Sequence, residues 1–277
     1  MNLVFENLRK QYGSNVAIDD VSAVFEPGLI HGIIGPNGAG KSTLINMTAG
    51  SYTVTSGRIL LGDRQISGLK KYQIAGSGIA RTYQNIRLFD QMTVLDNLEV
   101  CYYADDAGLA WKEVLWPPYA KSREAERHAQ CRKALAQFDL LPWISEDAGS
   151  LPYGRQRMLE IARALVRDPS VLLLDEPAAG LNHAETAELT ARLRALRAPH
   201  RIMIIVEHDM DLVMALCDRI LVMHHGKLLF QGTPAEVQGN TEVQQAYLGT
   251  SNDIDEIKSA AQDRRAKLGL RARQRSG

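Results

Sequence analysis

An α/β fold with a mainly parallel core sheet is predicted by three features of this chain. Val171–Leu174 and Ile202–Val206 are all-apolar runs, the pattern of parallel strands covered on both faces. Between them a helical run, Glu185–Leu196, places Leu189, Leu193 and Leu196 on one face. A third apolar run, Leu29–Ile34, passes through a glycine-rich turn, Gly35–Gly40, into a helix over Lys41–Ala49. Strand, helix, strand in this order implies right-handed crossovers within one sheet.

The other elements follow in chain order. Leu3–Phe5 and Val21–Phe25 read as strands, and Ser56–Leu61 as another that ends at Gly62-Asp63. From about 86 to 150 the character changes. Trp111, Trp116, Pro117-Pro118 and the charged run Lys121–Phe138 lie there, no strand stands out, and a mostly helical subdomain is expected. Arg219–Val222 and Lys227–Phe230, around His224-His225-Gly226, read as a hairpin whose histidines are turn residues. The tail beyond Asn252 is acidic, then basic. It reads as a solvated helix fraying into a disordered end, or as a basic end near anionic lipid headgroups.

Composition narrows the function classes. A chain of 277 residues with 45% hydrophobic content can build a proper core. Lys plus Arg and Asp plus Glu are both 32, a zero balance that argues against bulk nucleic-acid binding. Cys101, Cys131 and Cys217 are odd in number and form no CxxC pair, so they read as small buried residues. No apolar run reaches the ~18–20 residues that span a bilayer. The start, MNLVFENLRKQYG, lacks a signal peptide's apolar core. The expectation is a soluble, cytosolic chain that meets a membrane only through partners.

The chemistry begins at Gly35-Pro36-Asn37-Gly38-Ala39-Gly40-Lys41-Ser42, which matches GxxxxGK[ST] and is followed by Thr43. The glycines let successive N–H groups face one anion, and the next helix aims its positive dipole end at the same point. Lys41 suits the β- and γ-phosphates of a nucleotide, and Ser42 suits Mg²⁺. Asp175 ends an apolar strand and suits a Mg²⁺-organising carboxylate. Glu176 beside it can orient or deprotonate a water. A bland Asp–Glu surface turn is the alternative. His208 follows the Ile202–Val206 run. If that strand neighbours the Asp175 strand, His208 lies near the γ-phosphate; a structural histidine is the alternative. Gln84 can reach Mg²⁺ or the attacking water. Tyr12 can stack on adenine or be an ordinary strand aromatic.

Together these residues resemble the nucleotide-binding subunits of ABC transporters, from about Leu3 to Leu248. The resemblance implies roles for Tyr12 (adenine), Gly35–Ser42 (phosphate loop), Gln84 (Q-loop), Leu151–Arg155 (signature), Asp175-Glu176 (metal and catalytic carboxylates), Gly180-Leu181-Asn182 (D-loop) and His208 (switch histidine). Gly78–Phe89, Met92–Leu98, Leu159–Leu165 and Glu176–Asn182 further resemble the branched-chain amino acid import ATPases. The implied fold is a P-loop NTPase of ABC type, with a mainly parallel core sheet, an antiparallel N-terminal β subdomain and a helical subdomain. One ATPase domain would cover 1–252, its helical part about 86–166, with a charged, partly disordered tail over 253–277.

The resemblance also implies ATP and Mg²⁺, and a dimer that sandwiches two ATPs head to tail. The second cassette would be another copy or a paralogue. Transmembrane permeases and a periplasmic solute-binding protein would complete an importer for branched-chain or other amino acids and related small solutes, at the cytoplasmic face of the inner membrane. The segment Ile86–Ala110 would receive a permease helix, with Leu88, Phe89 and Met92 as docking surface or as subdomain core. An exporter or lipid-extraction ATPase, a soluble ABC ATPase and a non-hydrolysing regulator are the rivals.

Two departures from the family stand out. Pro152 and Tyr153 replace the usual serine and first glycine of the signature, so the serine hydroxyl is lost. Proline at a first helical turn favours initiation, and Tyr153 and Gly154 backbone donors are expected to hold the partner's phosphate instead. Asn182 stands where many relatives have aspartate, keeping a carbonyl acceptor without the charge.

Overall fold

The computed structural model describes residues 1–106 and 117–248, and follows only the backbone over 103–106, 117–120 and 247–248. Trp111, Trp116 and the 253–277 tail lie outside the described residues.

The core sheet holds six strands in the order β10-β9-β3-β8-β7-β6. These are β3 (Ile30–Ile34), β6 (Ile79–Arg81), β7 (Val171–Asp175), β8 (Ile202–Val206), β9 (Arg219–His224) and β10 (Lys227–Gly232). All neighbours are parallel except the β9–β10 hairpin at one edge. Every residue of β3, β7 and β8 is buried, as their apolar runs require. β7 and β8 pair in register from Val171 opposite Ile202 to Asp175 opposite Val206. That pairing brings the carboxylates that end β7 level with the end of the strand that leads to His208.

Alternation along these strands sorts the core into two layers. Leu172, Leu174, Met203 and Ile205 face a helical layer. It contains α3 (Val94–Asp106), α4 (Pro117–Ala136), α5 (Tyr153–Leu165) and α6 (His183–Ala195), which contribute Leu98, Cys131, Leu135, Leu159, Leu189 and Leu193. Val171, Leu173, Ile202 and Ile204 face the other way. There they meet α1 (Lys41–Thr48) and a four-stranded antiparallel sheet, ordered β2-β1-β4-β5. Each buried aliphatic side chain contributes about 1.5–3 kcal/mol of transfer free energy.

That second sheet is longer than the sequence suggested. β1 runs Leu3–Tyr12 and β2 runs Asn15–Phe25, with β4 at Ser56–Leu61 and β5 at Arg64–Gln65. Bulges interrupt the β1–β2 ladder between Phe5 and Lys10. At them Asn7 and Asp20 take left-handed φ of 46° and 56°, joined by an Asn7 Nδ2 to Asp20 Oδ1 bond of 2.8 Å. The bulge scrambles the two-residue period that reveals a strand. The remaining helices are α2 (Lys71–Gly76), α7 (Met210–Leu216), α8 (Pro234–Gly239) and α9 (Thr241–Leu248). Cys131 and Cys217 are buried and Cys101 is partly so, all as free thiols. Burial pushes the Cys131 thiol up to about 12, so the reactive thiolate is disfavoured.

Candidate nucleotide site and signature turn

β3 delivers the chain into the phosphate loop. Gly35 and Gly40 have φ of 151° and 102°. A Cβ at Gly35 would strike the Met223 carbonyl of β9; one at Gly40 would lie 2.6 Å from Ile18 and 2.8 Å from the Ala17 carbonyl. The loop is thus pressed against β9 and β2, which glycine alone permits. Lys41 Nζ donates to the Gly35 and Pro36 carbonyls at 2.6 and 3.2 Å, holding the cation over the loop. α1 starts at Gly40 without a side-chain cap or an acid in its first turn. Its leading N–H groups and dipole therefore suit an anion. A cavity of about 190 Å³ lies there, lined by Ala17, Asn37, Gly38, Ala39, Gly40, Lys41, Ser42, Thr43 and Glu176.

Glu176 lines that cavity, and Asp175 stands beside Glu176 at the end of β7. Asp175, nearly buried, accepts from Arg81 Nη2 at 2.8 Å. Arg81 Nη1 donates to Asn46 Oδ1 at 2.8 Å, and Asn46 Nδ2 donates to the Ser42 carbonyl at 2.7 Å. Arg81 thereby ties β6, β7 and the first turns of α1 together. Glu176 has a left-handed φ of 48°, and its N–H donates to the Val206 carbonyl at 2.8 Å. Such a backbone costs on the order of 1–3 kcal/mol and is held only by its surroundings. Gln84 Nε2 donates to Glu176 Oε2 at 2.8 Å. His208 is 68% exposed, with Nδ1 4.0 Å from Glu176 Oε2 and 3.9 Å from Glu207 Oε2.

Glu207 is a residue that sequence reading passed over. Fully buried, it accepts from the Ala178 N–H at 2.8 Å and the His208 N–H at 3.2 Å. Burial raises its carboxyl above the usual range, and the bond from Ala178 opposes that rise. Arg81 was missed as well. Its signal was available: a cation at the end of the short strand that leads into Gln84.

No group of three or more His, Cys, Asp or Glu forms a metal cage among the described residues. The hard oxygen donors lining the phosphate cavity are Asn37, Ser42, Thr43 and Glu176, with Asp175 beside Glu176 in the chain and Gln84 bonded to it. Such a set fits Mg²⁺, which keeps waters and shares its shell with phosphates.

The signature turn lies apart, and none of Leu151–Arg155 lines the phosphate cavity. Pro152 is the residue before α5, with φ −54° and ψ 148°, so the helix begins one residue later than the proline. α5 too begins without a side-chain cap or an acid in its first turn. Tyr153 is 45% exposed and its hydroxyl donates to the Ala179 carbonyl at 3.1 Å. A Cβ on Gly154 would come within 2.6 Å of Glu185 Oε1. Arg155 pairs with Glu188 at 3.1 Å and sits 5.1 Å over the Trp143 ring.

Asn182 Oδ1 accepts from the N–H groups of Ala184 and Glu185 at 3.0 Å, and Glu185 accepts from the Asn182 N–H. Its carbonyl is therefore used inside the chain, as a capping box for α6. Tyr12, at the end of β1, is 45% exposed beside Tyr52, with Lys10 Nζ 4.8 Å over its ring; it does not line the phosphate cavity. Phe89 is exposed, whereas Leu88 and Met92 are partly covered and Leu88 packs on the helical core.

Known proteins resemble this chain in sequence and fold. The family model described as ABC transporter matches residues 18–179, and one for the branched-chain amino acid ATP-binding cassette transporter matches 227–252. The chain is 41% identical to the high-affinity branched-chain amino acid transport ATP-binding protein LivG of Escherichia coli (strain K12), covering 89% of this chain and 97% of that one. It is 34% identical to the lipopolysaccharide export system ATP-binding protein LptB of Acidithiobacillus ferridurans, covering 90% and 97%. A crystal structure of the ADP conformation of MJ1267, an ATP-binding cassette of an ABC transporter, superposes with a TM-score of 0.77 at 31% identity, covering 90% and 99%. The chain therefore belongs to the ATP-binding subunits of the ABC transporters, ATPases that couple hydrolysis to transport.

Proposed function

We propose that this chain powers import of branched-chain amino acids or related small solutes, working as one half of a cassette dimer. The observation that carries the dimer is the separation described above. Lys41 and Glu176 line one cavity, with Gln84 bonded to Glu176 and His208 4.0 Å from it, while none of Leu151–Arg155 at the uncapped start of α5 lines that cavity. A second cassette, a copy or a paralogue, supplies the phosphate that this helix start would meet. The import direction and the solute rest on likeness to LivG.

In this reading residues 1–252 act as one cassette. Tyr12 stacks on the adenine. Gly35–Thr43 wrap the phosphates, and Lys41 neutralises the outer two. Ser42, Gln84 and Asp175 would hold Mg²⁺, which would supply positive charge to the phosphate oxygens. Glu176 takes the proton of the attacking water, and Gln84 orients that water. His208 contacts the γ-phosphate. Across the dimer, the Tyr153 and Gly154 N–H groups hold the other nucleotide. The cleft lined by Ile74, Ala80, Tyr83, Cys101 and Arg163, about 500 Å³, receives a permease helix, with exposed Phe89 nearby in sequence. The chain then sits at the cytoplasmic face of the inner membrane, held by permeases that a periplasmic solute-binding protein loads.

Glu176→Gln tests the reading. The purified variant should bind ATP normally, lose at least about 100-fold in turnover, and accumulate as an ATP-dependent dimer by light scattering. A monomer under all conditions would sink the dimer. Vesicles carrying the complete transporter should take up labelled leucine or a related solute; ATP-driven release alone would sink import and favour the export reading that the likeness to LptB keeps open.

A further inference from the structure

Arg157 lies in the middle of α5 with its side chain fully buried. Its Nη1 donates to the Tyr83 carbonyl at 2.9 Å and to Glu160 Oε2 at 3.0 Å. Its Nη2 donates to the Gln84 carbonyl at 2.8 Å and to the Tyr153 hydroxyl at 3.2 Å. Glu160 in turn accepts from the Tyr83 N–H at 3.3 Å. The Tyr153 hydroxyl in turn donates to the Ala179 carbonyl at 3.1 Å. One continuous chain of hydrogen bonds thus runs from the 178–180 turn, through the first residue of α5, to both carbonyls of the Tyr83-Gln84 pair.

Stability alone does not require this arrangement. A buried ion pair is often no better for folding than apolar residues of the same volume. Its geometry, however, is specific: a planar fork on two successive carbonyls fixes a backbone as a point charge cannot. Tyr153 is the residue that replaces the small one usual in the signature, and its ring edge occupies the space beside Gly180, where an added Cβ would meet Cε1 at 3.0 Å.

We propose that Arg157 and Tyr153 are positioning residues for hydrolysis, joining the Gln84 loop to the 178–180 turn so that the two shift as one unit. Arg157 acts through the Gln84 backbone, and the Gln84 side chain in turn bonds Glu176. Tyr153 reports the position of the 178–180 turn to Arg157. The proposal rests on the reading of Gln84 and Glu176 as the water-handling pair.

Tyr153→Phe keeps the ring and removes the relay's hydroxyl. Hydrogen exchange of the purified full chain should speed up about three- to tenfold at the 178–182 amides, the worth of one neutral hydrogen bond. The same acceleration should appear at the 83–86 amides, whose carbonyls at Tyr83 and Gln84 the Tyr153 hydroxyl reaches through Arg157. Acceleration confined to 178–182 overturns the relay. In turnover, Tyr153→Phe should lower kcat about three- to tenfold and leave the KM for ATP unchanged. Arg157→Lys keeps the charge without the fork and should lower kcat at least as much. The double variant should lose no more than the worse single one; additive losses overturn the proposal. Should Arg157→Lys fail to fold, the exchange pattern of Tyr153→Phe decides alone. That pattern needs neither dimer nor transport, so its failure is separable from failure of the importer reading.

Discussion

The phosphate loop and the signature turn are both helix starts stripped of side-chain caps, yet they keep different company. α1 begins at Gly40 and α5 at Pro152, neither with a capping side chain. α6, α7 and α8 begin instead at Asn182, Asp209 and Thr233, each accepting from N–H groups of the first turn. Omitting a cap costs about 1 kcal/mol. The chain tolerates that cost at the two starts read as phosphate-facing, and also at α2, where Lys70 makes no side-chain cap bond. Around α1 the same chain supplies a cation and two carboxylates. Around α5 its only nearby cation in the turn, Arg155, is directed to Glu188 and Trp143. In the proposed reading one start belongs to a site this chain assembles itself, and the other offers donors without the rest of a site.

Substitutions at the two starts should separate these roles. Lys41→Met should weaken ATP binding to the monomer about 100-fold, since a charge-assisted contact to phosphate is worth about 1.5–3 kcal/mol. Gly154→Asp should abolish turnover and leave that affinity within about twofold, because the new side chain displaces Glu185 and its carboxylate repels a phosphate across the dimer. Titration calorimetry and phosphate release measure the pair; normal turnover in Gly154→Asp would remove the assigned role of α5.

A smaller effect is expected at a capped start. Asn182→Ala removes the acceptor for two N–H groups of α6. It should cost about 1 kcal/mol, or about 2–4 °C in a melting experiment. An unchanged Tm would show that the box is dispensable, and the contrast between capped and uncapped starts would lose its energetic meaning.

A pH-dependent effect concerns β3, the strand that carries the phosphate loop. His31 is buried there, and burial lowers its pKa below the ordinary 6.5. The folded chain refuses a proton that the unfolded chain accepts below pH 6.5, so stability falls as pH drops through that value. In His31→Gln this part of the slope, at most about 1.4 kcal/mol per pH unit, should vanish. Denaturant melts of both proteins between neutral and mildly acidic pH check it; parallel slopes would refute the assignment.

The division of the site into these halves was only partly legible in the sequence. Gly35–Ser42, Asp175-Glu176, Gln84 and His208 announce themselves because their chemistry is local: a loop, a strand end, a short run. The adjacency of β7 and β8 was legible too, since both runs are wholly apolar. Arg81, Arg157, Glu160 and Glu207 were not, because each acts on a partner distant in sequence and looks like an ordinary charged residue in its own helix or strand. Asn182 reads from sequence as an uncharged acceptor, and with the Glu three residues on it forms the cap of α6. The lengths of β1 and β2 were hidden by the left-handed Asn7 and Asp20.

The contact between Arg155 and Trp143 has an optical consequence. A guanidinium 5.1 Å above an indole perturbs its excited state, so Trp143 is a built-in fluorophore at the edge of the signature turn. With Trp111 and Trp116 changed to phenylalanine, Trp143 would be the chain's sole indole. Its emission would then follow, in real time and without a label, any event that pulls Arg155 from the ring.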